Sequence, residues 1–121
     1  DDRELARKFL LSIGMLQPGD SRDIVVDVFH TLLKSSGSGP TFEQISETLA
    51  GKPGASSPNI RRQLRRLKDI KLVESSGDSY RIVESGAISE LINNYLEKFI
   101  VLPSLARIKQ YAAALEQRFS P

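Results

Sequence analysis

Arg61, Arg62, Arg65, Arg66 and Lys68 crowd the stretch SPNIRRQLRRLKDIK between Ser57 and Lys71, with Asn59 just ahead of them. Arginine donates in a planar fork that matches phosphate oxygens or the major-groove edge of guanine, asparagine matches adenine, and lysine adds a point charge. The chemistry on offer is therefore non-covalent recognition of a polyanion. At about 100° per residue, Ile60, Leu64 and Leu67 fall on one side of a helix. Pro58, Arg62, Arg65, Arg66 and Asp69 fall opposite, and Asn59 and Arg61 flank the first turn. Ser57 is the expected N-cap, its hydroxyl taking an orphan backbone N–H, with Pro58 at the first helical position. From Lys52 to Lys71 seven basic residues meet one acidic residue, Asp69, so this window carries +6. Against a chain total of +2, everything else carries −4. Basicity this local is the electrostatic footprint of a nucleic-acid reader.

Other chemistry finds few materials. His30 is the only histidine and the chain has no cysteine, which leaves a metal site or a nucleophilic triad without components. His30, within VFHTLL, reads as a structural residue. Asp23 and Asp27, four positions apart, resemble paired carboxylates but are expected on the solvent face of their helix without a base beside them. GKPGA, from Gly51 to Ala55, lacks the spacing and the preceding strand of a phosphate loop. Tyr95, Phe99 and Tyr111 read as core or interface aromatics rather than a stacking platform for single strands. Neither a catalytic function nor a cofactor is expected, and the lack of thiols excludes thiol-based redox sensing.

A chain of 121 residues with average apolar and charged content suits one compact domain with an appended helix. No apolar run approaches a membrane span, and the opening DDRELARKF is too charged for a signal peptide. A cytoplasmic, nucleoid-associated protein without membrane contact is expected. Asp1 in place of an initiator Met implies residues upstream.

The elements that must position the basic helix follow from periodicity. Leu5, Phe9, Ile13 and Leu16 mark a first amphipathic helix, ended by Pro18-Gly19, and residues 1–17 form an N-terminal flanking helix. Asp20 or Ser21 is placed to cap a second, largely buried helix through Ile24, Val25, Val28, Phe29, Leu32 and Leu33, stopped by SSGSGP. Thr41 with Gln44 three residues on is a capping-box pattern for a short third helix packed through Phe42, Ile45 and Leu49. The basic helix comes next. Leu72–Ser75 and Tyr80–Val83 then read as two strands of a hairpin around Ser76-Gly77-Asp78-Ser79. From Ser85 the pattern is helical again through Tyr95 and Phe99, with a kink expected at Pro103. Leu105, Ile108, Ala112, Leu115 and Phe119 continue it at steps of three and four.

The order helix, short helix, basic helix, hairpin, with ASSPNIRRQLRRLKDIKLVES followed by SYRIV, resembles a winged helix-turn-helix domain spanning residues 21–83. Ile60, Leu64, Leu67, Leu72 and Val73 are similar to that superfamily's packing positions, and Tyr80 and Ile82 to the inward residues of its returning wing strand. The fold class expected is mainly α with a small β-hairpin wing, flanked by helices at both ends. The whole chain looks most like small MarR-type and PadR-type transcription regulators, and the resemblance implies a homodimer on duplex DNA, with residues 85–121 as the dimerisation segment. Two departures stand out. Lys71 replaces the glycine that follows the recognition helix, predicting a looser turn, and the wing carries Glu74 and Asp78 against a lone Arg81.

In this reading Asn59, Arg61 and Arg62 face bases, while Arg65, Arg66 and Lys68 touch phosphates. Lys52, Ser56 and Ser57 hold the backbone at the helix entrance, and Arg81 adds a phosphate contact from the wing. Leu5, Phe9, Tyr95, Phe99, Leu105, Ile108, Ala112, Leu115 and Phe119 supply the dimer interface. A plasmid partition or replication-site binder would look the same. The alternative from another class is a winged-helix interaction module whose arginines meet acidic side chains of a transcription or replication protein. MarR-type relatives suggest a small-molecule effector, which no residue here identifies.

Overall fold

The computed structural model describes residues 1–16, 23–35, 39–83, 88–94 and 102–119. They are mainly helical with one small antiparallel sheet, and the chain divides into two compact units, Asp1–Gly86 and Ala87–Pro121.

In the first unit α1 (Asp2–Ser12) is capped by Asp1, whose carboxylate accepts from the Glu4 backbone N–H at 2.7 Å. Helix α2 (Ile24–Leu33) is apolar on nearly every side, and Ile24, Val25, Val26, Val28, Phe29 and Leu32 are all buried. A helix apolar all round must be central. It packs against α1, α3 (Phe42–Leu49), α4 (Ser57–Asp69) and the second hairpin strand. Leu33 turns out partly exposed at the end of the helix. The expected caps Asp20 and Ser21 lie outside the described residues; the residue at the N-cap of α2 is Asp23, whose carboxylate makes no capping bond.

Helix α3 carries both halves of the capping box. The Thr41 hydroxyl accepts from Gln44 N–H at 3.2 Å, and Gln44 Oε1 accepts from Thr41 N–H at 2.9 Å. Phe42, Ile45 and Leu49 turn inward. Helix α4 starts one residue earlier than expected from its cap: Ser56, not Ser57, accepts from Asn59 N–H at 3.3 Å. Ser57 is the first helical residue and Pro58 the second. Both serines precede the proline, so the register is fixed only by which hydroxyl lies three residues before a free N–H.

The end of α4 corrects the looser turn expected from Lys71. Lys71 adopts a left-handed φ of 68°. Its N–H donates to Lys68 O at 3.0 Å, and Leu72 N–H donates to Leu67 O at 3.1 Å. These two bonds form a Schellman motif, closed by the buried pair Leu67 and Leu72. Lysine thus accepts the conformation that glycine takes at no steric cost, and the turn into the hairpin is tight.

Strands β1 (Val73–Ser76) and β2 (Ser79–Ile82) pair with Val73 opposite Ile82 and Ser75 opposite Tyr80, joined by Gly77-Asp78. Val73 and Ile82 seal the sheet onto the core. The segment before α3 is stitched to this hairpin: Tyr80 N–H donates to Pro40 O at 2.9 Å and Thr41 bridges Ser79. Gly39 is needed there. Its φ is 82°, and a Cβ would lie 1.8 Å from Tyr80 O.

The second unit contains α5 (Ile88–Leu91) and α6 (Leu102–Phe119). Pro103 is the second residue of α6 as described, and residues 95–101 ahead of it, on which the expected kink depends, lie outside the described residues. Tyr95 and Phe99 lie outside the described residues.

Candidate nucleic-acid interface

Helix α4 presents its polar residues in three rows, and each row has a different occupation. The inner row runs Asn59, Gln63, Arg66. Asn59 Nδ2 donates to Gly54 O at 2.7 Å, and Gln63 Nε2 donates to Asn59 Oδ1 at 3.0 Å. Arg66 Nη1 donates to Gln63 Oε1 at 2.7 Å, and Arg66 Nη2 donates to Met15 O at 3.0 Å beyond the end of α1. One continuous polar chain therefore ties the loop before α4 to the end of α1, with Gln63 buried in its middle. Asn59 and Arg66, expected to face bases and phosphates, each commit donors to this chain. The Gly54 carbonyl is a local partner, whereas only tertiary folding brings the Met15 carbonyl close.

The opposite flank carries Arg61 and Lys68. The Arg61 guanidinium lies over the Phe42 ring of α3, 3.7 Å from its centroid, a cation–π contact that leaves the charge intact at the helix surface. Lys68 Nζ donates to Ser75 Oγ at 3.0 Å, linking α4 to β1. The outer row holds Arg62 and Arg65, both exposed. Among the described residues neither has a hydrogen-bond or ion-pair partner. Three positions apart, they rise about 4.5 Å along one face.

The residues expected around the helix entrance divide in the same way. Ser56 caps, whereas Ser57 is exposed. Lys52 Nζ lies 3.6 Å from Asp27 Oδ1, half exposed. On the hairpin Arg81 is ion-paired with Glu74 across the two strands, so its charge is locally offset.

Asp23 and Asp27 do not stand on a solvent face. Arg3 Nε donates to Asp27 Oδ1 at 2.9 Å, its Nη2 reaches Asp23 Oδ1 at 3.0 Å, and Arg7 Nε donates to Asp23 Oδ2 at 3.2 Å. Asp27 is buried, with 8% of its surface exposed. Burial works to raise its pKa, but the hydrogen bond and charge of Arg3, joined by Lys52, outweigh that and hold the carboxyl below its usual value. The Asp27 hydrogen bond in turn raises the Arg3 pKa. These carboxylates are a clamp between α1, α2 and the loop before α4, not an acid–base pair. Arg3 lies 20 and 24 residues from the two aspartates and Arg7 lies 16 from Asp23, so periodicity on α2 alone could not find them. Sequence alone does not single out Gln63 either, although its spacing from Asn59 and Arg66 marks a polar row.

Two expected interface residues of α1 differ. The Phe9 ring stacks on Phe29 of α2 at 5.8 Å, within its own unit, whereas Leu5 stays exposed. On α6, Leu105, Ile108, Ala112, Leu115 and Phe119 are all exposed. His30 is half-buried in the last turn of α2. Among the described residues no group of His, Cys, Asp or Glu is placed to hold a metal ion, and no helix is long and apolar enough to cross a membrane. Comparison with protein-family models, curated proteins and solved structures finds no match to this chain.

Proposed function

We propose that this chain is a duplex-DNA-binding protein, a homodimeric regulator of transcription that lays the outer row of α4 in the major groove. The observation that carries the reading is the state of Arg62 and Arg65. Every other cation of α4 is engaged inside the unit, while these two stand on one exposed helical face without an acidic partner among the described residues. A fixed polar chain on one flank and the Phe42 platform on the other hold that face rigidly, as a reader in a groove requires. The arrangement of α2, α3, α4 and a hairpin, with the 39–41 segment stitched to the hairpin, supports the winged helix-turn-helix likeness.

In this reading Arg62 and Arg65 are the principal groove contacts. Arg61 adds charge from the flank and Ser57 a hydroxyl at the helix entrance. Asn59 and Arg66 act indirectly by fixing the helix, and Arg81 contributes little because Glu74 offsets it. So small a contact set reads few base pairs, and two half-sites one turn apart make a useful operator. Titration of a random 30-mer duplex at two salt concentrations tests this, beside R62A/R65A. Steep weakening with salt, and its collapse in the variant, is the expected result. Absence of binding at low salt would replace this reading with a protein-interaction module that meets acidic side chains.

A further inference from the structure

The apolar stripe of α6 has a partner that its own flanking charges select. Ile108, Leu115 and Phe119 expose 61%, 57% and 78% of their surfaces along an 18-residue helix, with Ala112 between them. Written as heptads, Leu105, Ala112 and Phe119 occupy one core position and Ile108 and Leu115 the other. Lys109 and Glu116 line one edge of the stripe, and Tyr111 and Arg118 line the other. Among the described residues none of these four makes a salt bridge or side-chain hydrogen bond.

We infer that α6 pairs with α6 of a second copy of this chain, antiparallel, in the register that sets Ala112 against the partner's Leu115. Ile108 then meets the partner's Phe119, and the two-fold axis repeats both layers, so each layer matches a smaller side chain with a larger one. In the same register Lys109 faces the partner's Glu116 on one edge, and Tyr111 faces the partner's Arg118 on the other. Every flanking contact is complementary: two ion pairs and two cation–π pairs. A parallel pair covers Leu105, which this register leaves beyond the overlap, but does worse in the other matched layers and at both edges. It stacks Ala112 on the partner's Ala112, leaving a gap, and Phe119 on the partner's Phe119. It also sets Glu116 against the partner's Tyr111 and Lys109 against the partner's Ser104, which pairs no opposite charges.

This pairing rests on the homodimer in the proposed function and names the surface that makes it. Its test uses no DNA, so its failure is separate from failure of the α4 reading. The chain contains no cysteine, which gives disulfide trapping a clean background. A112C and L115C are prepared separately, then oxidised alone and as an equimolar mixture. Antiparallel pairing yields a mixed disulfide between the two variants, identified by mass, in about tenfold excess over either self-disulfide, because only the mixed pair brings the Cβ atoms within bridging range. Self-disulfides in each variant alone would establish the parallel arrangement and overturn the inference. A protein with native cysteine-free sequence that sediments as a monomer at tens of micromolar, with no trapping, would also overturn it. A second arm avoids the core: K109E and E116K each weaken self-association by about fivefold and the double swap restores it. Equal weakening in the swap would overturn the register.

Discussion

Arg65 and Arg66 are neighbours in sequence with opposite surroundings in the structure, and replacing each by alanine tests the proposed recognition role separately from scaffolding. Arg66 donates to Gln63 Oε1 at 2.7 Å and to Met15 O at 3.0 Å, and Gln63 is 6% exposed. Removing Arg66 deletes two charge-assisted bonds and leaves the buried Gln63 oxygen unsatisfied, a loss of about 2–4 kcal/mol in folding stability. Arg65 is exposed and makes no hydrogen bond or ion pair among the described residues, so its removal is expected to change stability by less than about 0.5 kcal/mol. On DNA the proposed function expects the reverse order. Each lost phosphate contact flattens the dependence of log K on log salt by about 0.9, and a dimer altered in both protomers loses twice that. Arg65→Ala is expected to flatten the slope at full stability. Arg66→Ala is expected to keep the slope while lowering the urea midpoint and, through the altered set of α4, the preference for cognate over random duplex. Fluorescence anisotropy at four salt concentrations, paired with urea titrations followed by circular dichroism, reads both quantities. An Arg66→Ala protein of normal stability with a flattened slope would refute the inner-row assignment.

Three further substitutions probe the scaffold. Ser56→Ala is expected to cost about 1 kcal/mol through loss of the α4 cap, while Ser57→Ala is nearly neutral; reversed values in thermal melts would restore Ser57 as the cap. Asp27→Asn is expected to destabilise by about 1–3 kcal/mol at neutral pH, a figure reduced by solvent screening at Arg3. Because the folded Asp27 pKa is depressed, its stabilisation is complete above the unfolded carboxyl value and disappears as pH falls through the lower folded one. The gap between wild type and variant therefore closes in acid, and a gap independent of pH would remove the clamp from the explanation. Lys71→Gly is expected to stabilise by about 0.5–1 kcal/mol, since the left-handed backbone penalises a side chain; a loss in urea titration would contradict the Schellman geometry.

What was legible in the sequence was what local spacing dictates. Thr41 and Gln44 cap a helix because both lie within one turn, and Gly77-Asp78 between two β-rich tetrapeptides marks a hairpin without knowledge of the rest. Ile60, Leu64 and Leu67 announce their buried face in the same way. At Arg66 and Asp27 the structure departs from local spacing through partners remote in the chain. The wheel that put Arg66 with Arg62 and Arg65 could not know that the Met15 carbonyl would stand beside α4, nor that Gly54 would claim the Asn59 amide. Asp27 looked solvated because Arg3, its counter-charge, sits on another helix. The adjacent serines before Pro58 were ambiguous by a single residue, and Lys71 hid a glycine-like conformation behind an unsuitable side chain. The outward placement of Arg62 and Arg65 needed only the period of the helix.

The stitch between Pro40 and Tyr80 has a consequence for how the unit folds. The hairpin alone closes within microseconds, its ends joined by Gly77-Asp78. The stitch joins residues forty positions apart and encloses α3, α4 and β1 in one ring. Entropy for closing such a ring must be lost before its contacts reward it, so the last strand docks only after α3 and α4 have settled on α2. Substitutions at Gly39 therefore speed unfolding and leave the refolding rate nearly untouched, whereas truncations of Leu64 or Phe29 slow refolding. The exposed arginine face is accordingly expected to form before the hairpin is locked in place.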